Sequence, residues 1–261
     1  MSASDVREML PAERRARIVA ALRAHPAVRV TALSEDLGVS EITIRRDLML
    51  LAQEGVLART HGGAVRRQSI ASEVGYDEAG VTHAAEKDRI GQAAAAMIEP
   101  RDTVFMGSGT TVAHMLRHVD PGLEARVVTP NLAAASEARG LRLELLFLGG
   151  LYRPQLEAVE GPWPLEMIQG FNADKAFLGA DCLDARAGLT TNSIAAAGIE
   201  LAMVRRTRGE VVVLADSTKF DLVGPVVICP LDQIDVVVVD DGIDAEVCER
   251  IRRAGPRCEV V

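Results

Sequence analysis

Apolar residues recur at helical spacing near the start of the chain. In AERRARIVAALRA (12–24), Ile18, Val19 and Leu22 fall on one helical face, and His25-Pro26 stops the helix. Thr31 can cap a second, short helix, ALSEDLG (32–38), which ends at Gly38. Ser40 caps a third, with Ile44, Leu48 and Leu51 at i, i+4 and i+7, and Gly55 ends it. VLART (56–60) and AVRR (64–67) then read as two short strands around His61-Gly62-Gly63. The second and third helices are separated by a tight turn containing a glycine. This order predicts a winged helix-turn-helix over residues 11–66.

The pattern then changes twice. Residues 67–85 include SIASEVGYDEAGVTHAA, which is mixed and weakly periodic and reads as a linker. From Glu86 to Val261, strand and helix signals alternate. The strand candidates are TVFMG (103–107), ARVVT (125–129), LELLFLG (143–149), KAFLGA (175–180), EVVVLAD (210–216), PVVIC (225–229) and DVVVVD (235–240). Continuous Val-rich runs with helices between them predict a mainly parallel, Rossmann-like α/β sheet covered on both faces. No repeat or low-complexity tract interrupts it.

Composition sharpens this picture. The 261 residues are 48% hydrophobic but only 3% aromatic, so aliphatic side chains supply most of the packing. No apolar run approaches the roughly 20 residues needed to span a bilayer, and the N-terminus has no signal-peptide core. Cys182, Cys229, Cys248 and Cys258 form no Cys-x-x-Cys pair, which points to reduced thiols in a cytoplasmic protein. Charge is uneven. Residues 1–68 hold 11 arginines against 8 acids, a net of +3; the remainder holds 18 basic and 29 acidic residues, a net of −11. A basic N-terminal piece on an acidic body suggests a polyanion contact at one end.

The third helix explains that end. In a helix-turn-helix the second helix of the motif enters the major groove with its N-terminal residues at the base edges. Ser40 can meet phosphate. Glu41, Thr43, Arg45 and Arg46 lie partly or wholly off the buried stripe, and the two arginines can meet guanine or phosphate. Arg59 and His61 on the wing can reach the backbone or the minor groove. Asp47 can brace an arginine.

MGSGTTV (106–112) follows a strand and opens a helix. Gly107 and Gly109 allow close backbone approach, while Ser108, Thr110 and Thr111 offer hydroxyls beside free amides, as an anion cradle does. In LADSTKF (214–220), Asp216 and Lys219 follow another strand, one to accept sugar hydroxyls and one to offset phosphate charge. The chain has only three lysines, Lys87, Lys175 and Lys219; Lys87 is a weaker candidate. A dinucleotide site does not fit. Val112 stands where a third glycine belongs, and Thr129-Pro130-Asn131 offers no acid for a ribose. His114 and His118, four apart, lack a third metal ligand and read as surface or helix-end histidines. No cofactor or metal is implied.

VTALSEDLGVSEITIRRDLMLLAQEGVLARTHGGA resembles the signature of DeoR-family bacterial transcription regulators. The likeness continues in family order through EKDRIGQAAAAMI, GSGTTV, VVTPNL, FLGG, ADKAFLGA, GLTT and LADSTKF, covering roughly residues 12–240. The resemblance implies an operator-binding N-terminal domain and a sugar-phosphate sensor related in fold to ribose-5-phosphate isomerase. It also implies a homo-oligomeric repressor, dimer or tetramer, released from double-stranded operator DNA by a phosphorylated sugar. Three positions depart from the family pattern. Gly107 stands where many members have Asp, Pro130 where many have Asn, and Ala196 where many have Glu. All lie near the expected pocket and bear on which sugar is bound. A sugar-phosphate isomerase or hydrolase is the rival reading, motivated by the implied fold and Asp216. It lacks paired carboxylates, and Met106 stands where a G-x-S-x-G elbow around Ser108 would need its first glycine.

Overall fold

The computed structural model describes residues 11–24, 27–53, 57–60, 62–66 and 75–261. The chain divides into two compact units, residues 1–72 and 73–261.

In the first unit the order is α1 (Pro11–Ala24), β1 (Ala27–Arg29), α2 (Val30–Leu37), α3 (Glu41–Gln53), β2 (Leu57–Thr60) and β3 (Gly63–Arg66). The three apolar faces meet, with Ile18, Leu33, Ile44, Leu48 and Leu57 all buried in one cluster. Gly38 ends α2 at φ 64°, and its amide bonds back to the Ser34 carbonyl. A side chain at such a φ is strained, so glycine fits the turn. Ser40 caps α3: its Oγ accepts from the Thr43 amide at 3.3 Å.

Two features differ from the sequence reading. First, α2 starts at Val30, so Thr31 lies inside the first turn and is not the cap. The Val30 amide, one of the donors a helix start leaves unpaired, donates to the Gly62 carbonyl of the wing at 3.0 Å. Second, the wing is three-stranded. β1 pairs antiparallel with β3, which also pairs with β2. Gly63 makes this possible, because a Cβ there would lie 2.0 Å from the Val28 carbonyl oxygen.

The second unit runs α4 (Tyr76–Val81), α5 (Ala84–Ala95), β4 (Thr103–Met106), α6 (Thr110–Met115), β5 (Arg126–Thr129), α7 (Ala134–Glu137), β6 (Glu144–Phe147), β7 (Leu151–Arg153), β8 (Ala158–Glu160), α8 (Pro162–Ile168) and β9 (Ala173–Gly179). It continues with β10 (Cys182–Asp184), β11 (Gly188–Thr191), α9 (Ile194–Arg206), β12 (Thr207–Ala215), β13 (Val226–Cys229), β14 (Val236–Val239), α10 (Ala245–Ala254) and β15 (Arg257–Val260). Seven strands form a parallel sheet in the order β6-β5-β4-β9-β12-β14-β15. Alternate residues serve opposite faces. Phe105, Leu178, Val213 and Val237 pack on one side, and Val104, Phe177, Val212 and Val238 on the other. Burial on both faces is why these strands are continuously apolar.

The chain turns outward from β4 in both directions, so β4 and β9 flank the topological switch point. Ligands of open α/β sheets bind at the carboxyl ends of the strands there. PVVIC does not join this sheet. As β13 it pairs antiparallel with β11 in a separate β10-β11-β13 sheet. An apolar run reports burial but not which sheet a strand joins. Residues 75–85, expected within the linker, form α4 and the start of α5; the α4 helix has no fully buried residue, hence its weak periodicity. No helix among the described residues is long and apolar enough to cross a membrane.

Candidate functional site

Two surfaces carry the candidate chemistry, one on each unit. On the first, the buried stripe of α3 fixes what faces outward. Arg45 and Arg46 are exposed, as is Ser40, and Thr43 is half-buried with its Oγ1 2.9 Å from Ser40 Oγ. Arg45 Nη2 donates to Glu41 Oε2 at 3.0 Å, one turn earlier. Arg46 forms no ion pair among the described residues. Asp47 does not brace this pair. It is 3% exposed and accepts from Arg14 Nε of α1 at 2.5 Å. The negative charge beside the two arginines is therefore turned into the unit. Arg59 lies in β2, backbone-paired with Ala64; His61 lies outside the described residues.

The sequence reading overlooked Ile42. It is 80% exposed at the start of α3. An apolar side chain there can meet a thymine methyl group. Its signal was available, since Ile42 falls off the Ile44–Leu48–Leu51 stripe.

The second surface lies at the switch point. The Gly107 amide donates to the Phe177 carbonyl at 2.8 Å, which pins the loop after β4 against β9. A Cβ on Gly107 would come within 3.3 Å of Leu178 Cδ2, so an Asp there would require Leu178 to move. Gly109 adopts φ 103°, which turns the chain into α6. Ser108 and Gly109 are partly exposed, while Thr110 and Thr111 are buried. Asn131, fully buried after β5, holds the loop from below. Its Nδ2 donates to the Gly109 carbonyl at 3.1 Å, and its Oδ1 accepts from the Ala133 amide at 3.2 Å.

Asp216 and Lys219 flank a single turn after β12. Asp216 is buried, and its Oδ1 accepts from the Thr218 amide at 3.1 Å and from the Thr218 hydroxyl. It caps the turn that presents Lys219. Asp240 pins the same turn, accepting from the Ser217 amide at 2.6 Å and the Gly242 amide at 2.9 Å.

Lys87 is more central than its sequence context suggested. It is buried on α5, and its Nζ donates to the Ala79 carbonyl of α4 at 2.6 Å. Burial holds its pKa below the ordinary lysine value, Asp216 pulls it up, and Lys219 pushes it down. Both residues of the β12 turn are thus within electrostatic reach of Lys87. Helix α4 covers this corner: a Cβ on Gly80 would lie 3.8 Å from Thr110 Cγ2. Of the three lysines, Lys175 is neutralised elsewhere by Asp102 at 2.8 Å, whereas Lys87 and Lys219 form no carboxylate ion pair among the described residues. Two lysines without ion-pair partners among the described residues, at the end of the sheet that carries the glycine-hydroxyl loop, suit an anion.

His114 is not a surface residue. It is 4% exposed on α6, and burial lowers its pKa. His118 meets Asp88 Oδ1 at 2.9 Å. Neither belongs to a cluster of three potential metal ligands among the described residues. Pro130 accepts the Val159 amide at 2.9 Å through its carbonyl, and Ala196 lies in the first turn of α9, its amide bonded to Ser193 Oγ at 3.1 Å.

Comparison with known proteins assigns a family domain to each unit. Residues 14–69 match the DeoR-like helix-turn-helix domain, and residues 82–241 match the DeoR C terminal sensor domain. The chain is 32% identical over 248 residues to a putative aga operon transcriptional repressor of Escherichia coli O157:H7, covering 93% of this chain and 91% of that protein. It is 34% identical over 247 residues to the HTH-type transcriptional regulator GlpR of Haloferax volcanii, covering 95% and 96%. Among solved structures, ribose 5-phosphate isomerase A from Methanocaldococcus jannaschii aligns at a TM-score of 0.40 and 18% identity, over 53% of this chain and 55% of that one. Two family domains in this order, each carrying its own candidate surface, identify the chain as a member of the DeoR family of DNA-binding transcriptional regulators.

Proposed function

We propose that this protein is a cytoplasmic repressor of a carbohydrate-metabolism operon, released from its operator by a phosphorylated sugar. In this reading residues 11–66 bind DNA, and the unit that begins with α4 senses the effector. Ser40, Thr43, Arg45, Arg46, Arg59 and His61 contact the operator. Ser108, Gly109, Thr110 and Thr111 receive the phosphate, Lys219 and Lys87 offset its charge, and Asp216 orders the turn that carries Lys219. Paired half-sites require a dimer or tetramer. Release follows if the effector binds the DNA-incompetent state better; couplings of about 1–3 kcal/mol change affinity about 5- to 150-fold. The protein acts by binding and not by turnover.

The observation that carries this reading is the pair of lysines, Lys87 and Lys219, within electrostatic reach of each other at the carboxyl end of the sheet, the end that also carries the Ser108–Thr111 loop. The names of relatives point the same way, since they include an aga operon repressor and regulators called FruR and IolR. Calorimetric titration of pentose and hexose phosphates tests it. One member should bind the wild type, and Lys219→Met should weaken that binding about tenfold or more. Equal binding by Lys219→Met would remove this lysine from the site.

A further inference from the structure

The anion loop accounts for one end of an effector, and the other end must be read by something else. Asn192, between β11 and α9, has a side-chain Oδ1 that is buried and without a hydrogen-bond partner. A buried carbonyl oxygen left unpaired is unfavourable, and such atoms are rare in folded proteins. Its neighbours cannot serve it. The Thr191 hydroxyl already donates to Asp181 Oδ2 at 2.6 Å, and the Ser193 hydroxyl donates to Glu160 Oε1 at 3.2 Å.

The placement of this atom is specific. Asp181 follows β9, whose last residue, Gly179, abuts the anion loop: a Cβ there would lie 3.1 Å from the Ser108 carbonyl oxygen. On the other side, Glu160 ends β8, and Ala158 at the start of β8 bridges to Asn131, which holds Gly109. Contacts and short runs of chain together close a ring from Ser108 through Gly179 to Asp181, Thr191, Ser193 and Glu160, and through Ala158 and Asn131 back to Gly109. Asn192 sits on that ring between Thr191 and Ser193. Lys219 belongs to the same neighbourhood, since it and Asp181 both act on the Cys182 thiol.

A carbonyl oxygen and a carboxylate only accept hydrogen bonds, so what they recognise must donate. We propose that Asn192 Oδ1 and the Asp181 carboxylate form the hydroxyl-reading subsite of the effector pocket. The effector class is then a phosphorylated sugar or polyol whose hydroxyls donate to these two residues while its phosphate lies on the Ser108–Thr111 loop. This inference rests on the effector reading above and assigns that site its specificity.

The test is calorimetry on the full-length protein with inorganic phosphate, ribose 5-phosphate, 2-deoxyribose 5-phosphate, glucose 6-phosphate and fructose 1-phosphate. The wild type should bind its best sugar phosphate more tightly than inorganic phosphate. Asn192→Leu should weaken that compound about tenfold and leave inorganic phosphate unchanged, because a site built for a hydroxyl loses affinity when the pairing is lost. Asn192→Asp, which keeps an acceptor, should retain binding. Asn192→Leu should melt no lower than wild type, since it removes an unpaired buried acceptor; Asp181→Asn serves as an independent second variant. The proposal is overturned if Asn192→Leu binds the best sugar phosphate within twofold of wild type. It is also overturned, with the anion loop left standing, if the wild type prefers no sugar phosphate to inorganic phosphate. If the wild type binds none of the five, the effector reading itself fails and the subsite with it.

Discussion

Arg45→Ala separates DNA reading from folding. In the free protein Arg45 is tied to Glu41 at 3.0 Å, with side chains 49% and 44% exposed. An exposed i,i+4 pair is worth about 0.3–0.5 kcal/mol, so its loss should barely change stability. If Arg45 reads a base, removing it costs about 1–3 kcal/mol per half-site. At about 1.4 kcal/mol per tenfold, that is roughly 5- to 150-fold for each half-site, and the two factors multiply when a dimer spans both. The assay is fluorescence anisotropy on operator DNA at several salt concentrations, beside a thermal melt of the same protein. A base contact predicts weaker binding and relaxed sequence preference with an unchanged salt slope. A phosphate contact predicts uniform weakening and a slope smaller by about 1. Glu41→Ala in a double-mutant cycle then shows whether Glu41 competes with DNA for the guanidinium or orients it. Operator affinity within twofold of wild type at every salt concentration would refute the role given to Arg45.

Further outcomes follow from other buried groups. Asp47→Asn breaks the ion pair with Arg14 between α1 and α3, which should cost about 3 kcal/mol and increase amide exchange in both helices about 100-fold; unchanged exchange would mean the pair is not a tie. Glu200 on α9 is buried, and burial, then Asp181, raises its pKa to about 8. The folded state therefore keeps a proton that the unfolded chain releases. Stability is lost as pH rises from about 4.5 to 8, so the melting advantage of Glu200→Gln over wild type should grow across that window and level off above it. A pH-independent difference would contradict this. Lys87→Met should bind sugar phosphate about tenfold more weakly with operator affinity intact, measured by calorimetry and anisotropy; an unchanged calorimetric affinity would exclude Lys87 from the site.

What the sequence disclosed depended on how local each signal was. Ile44, Leu48 and Leu51 mark their helix by spacing alone, and the Val runs of β12 and β14 mark strands buried on both faces. β1 went unseen because three residues carry no period, and its existence depends on Gly63, distant in sequence. Helix α4 buries no residue completely, so it left no apolar stripe to read. At the candidate site, the Ser108–Thr111 loop was legible because glycines and hydroxyls adjoin a strand. Lys87 is legible only as a weaker candidate, and Asn131 and Asn192 go unrecognised. Their roles arise from the carboxyl ends of strands brought together by the sheet order, and no spacing along the chain encodes that meeting.

The central claim joins two surfaces in one switch, and one measurement addresses both. Wild-type protein is titrated onto DNA from upstream of its own operon at fixed salt, with and without sugar phosphates. The account predicts a discrete site bound in preference to random DNA, and one sugar phosphate that lowers that affinity at least about fivefold. Preferential binding that no sugar phosphate alters would contradict the coupling, and binding no tighter than to random DNA would contradict the operator-reading role of α3.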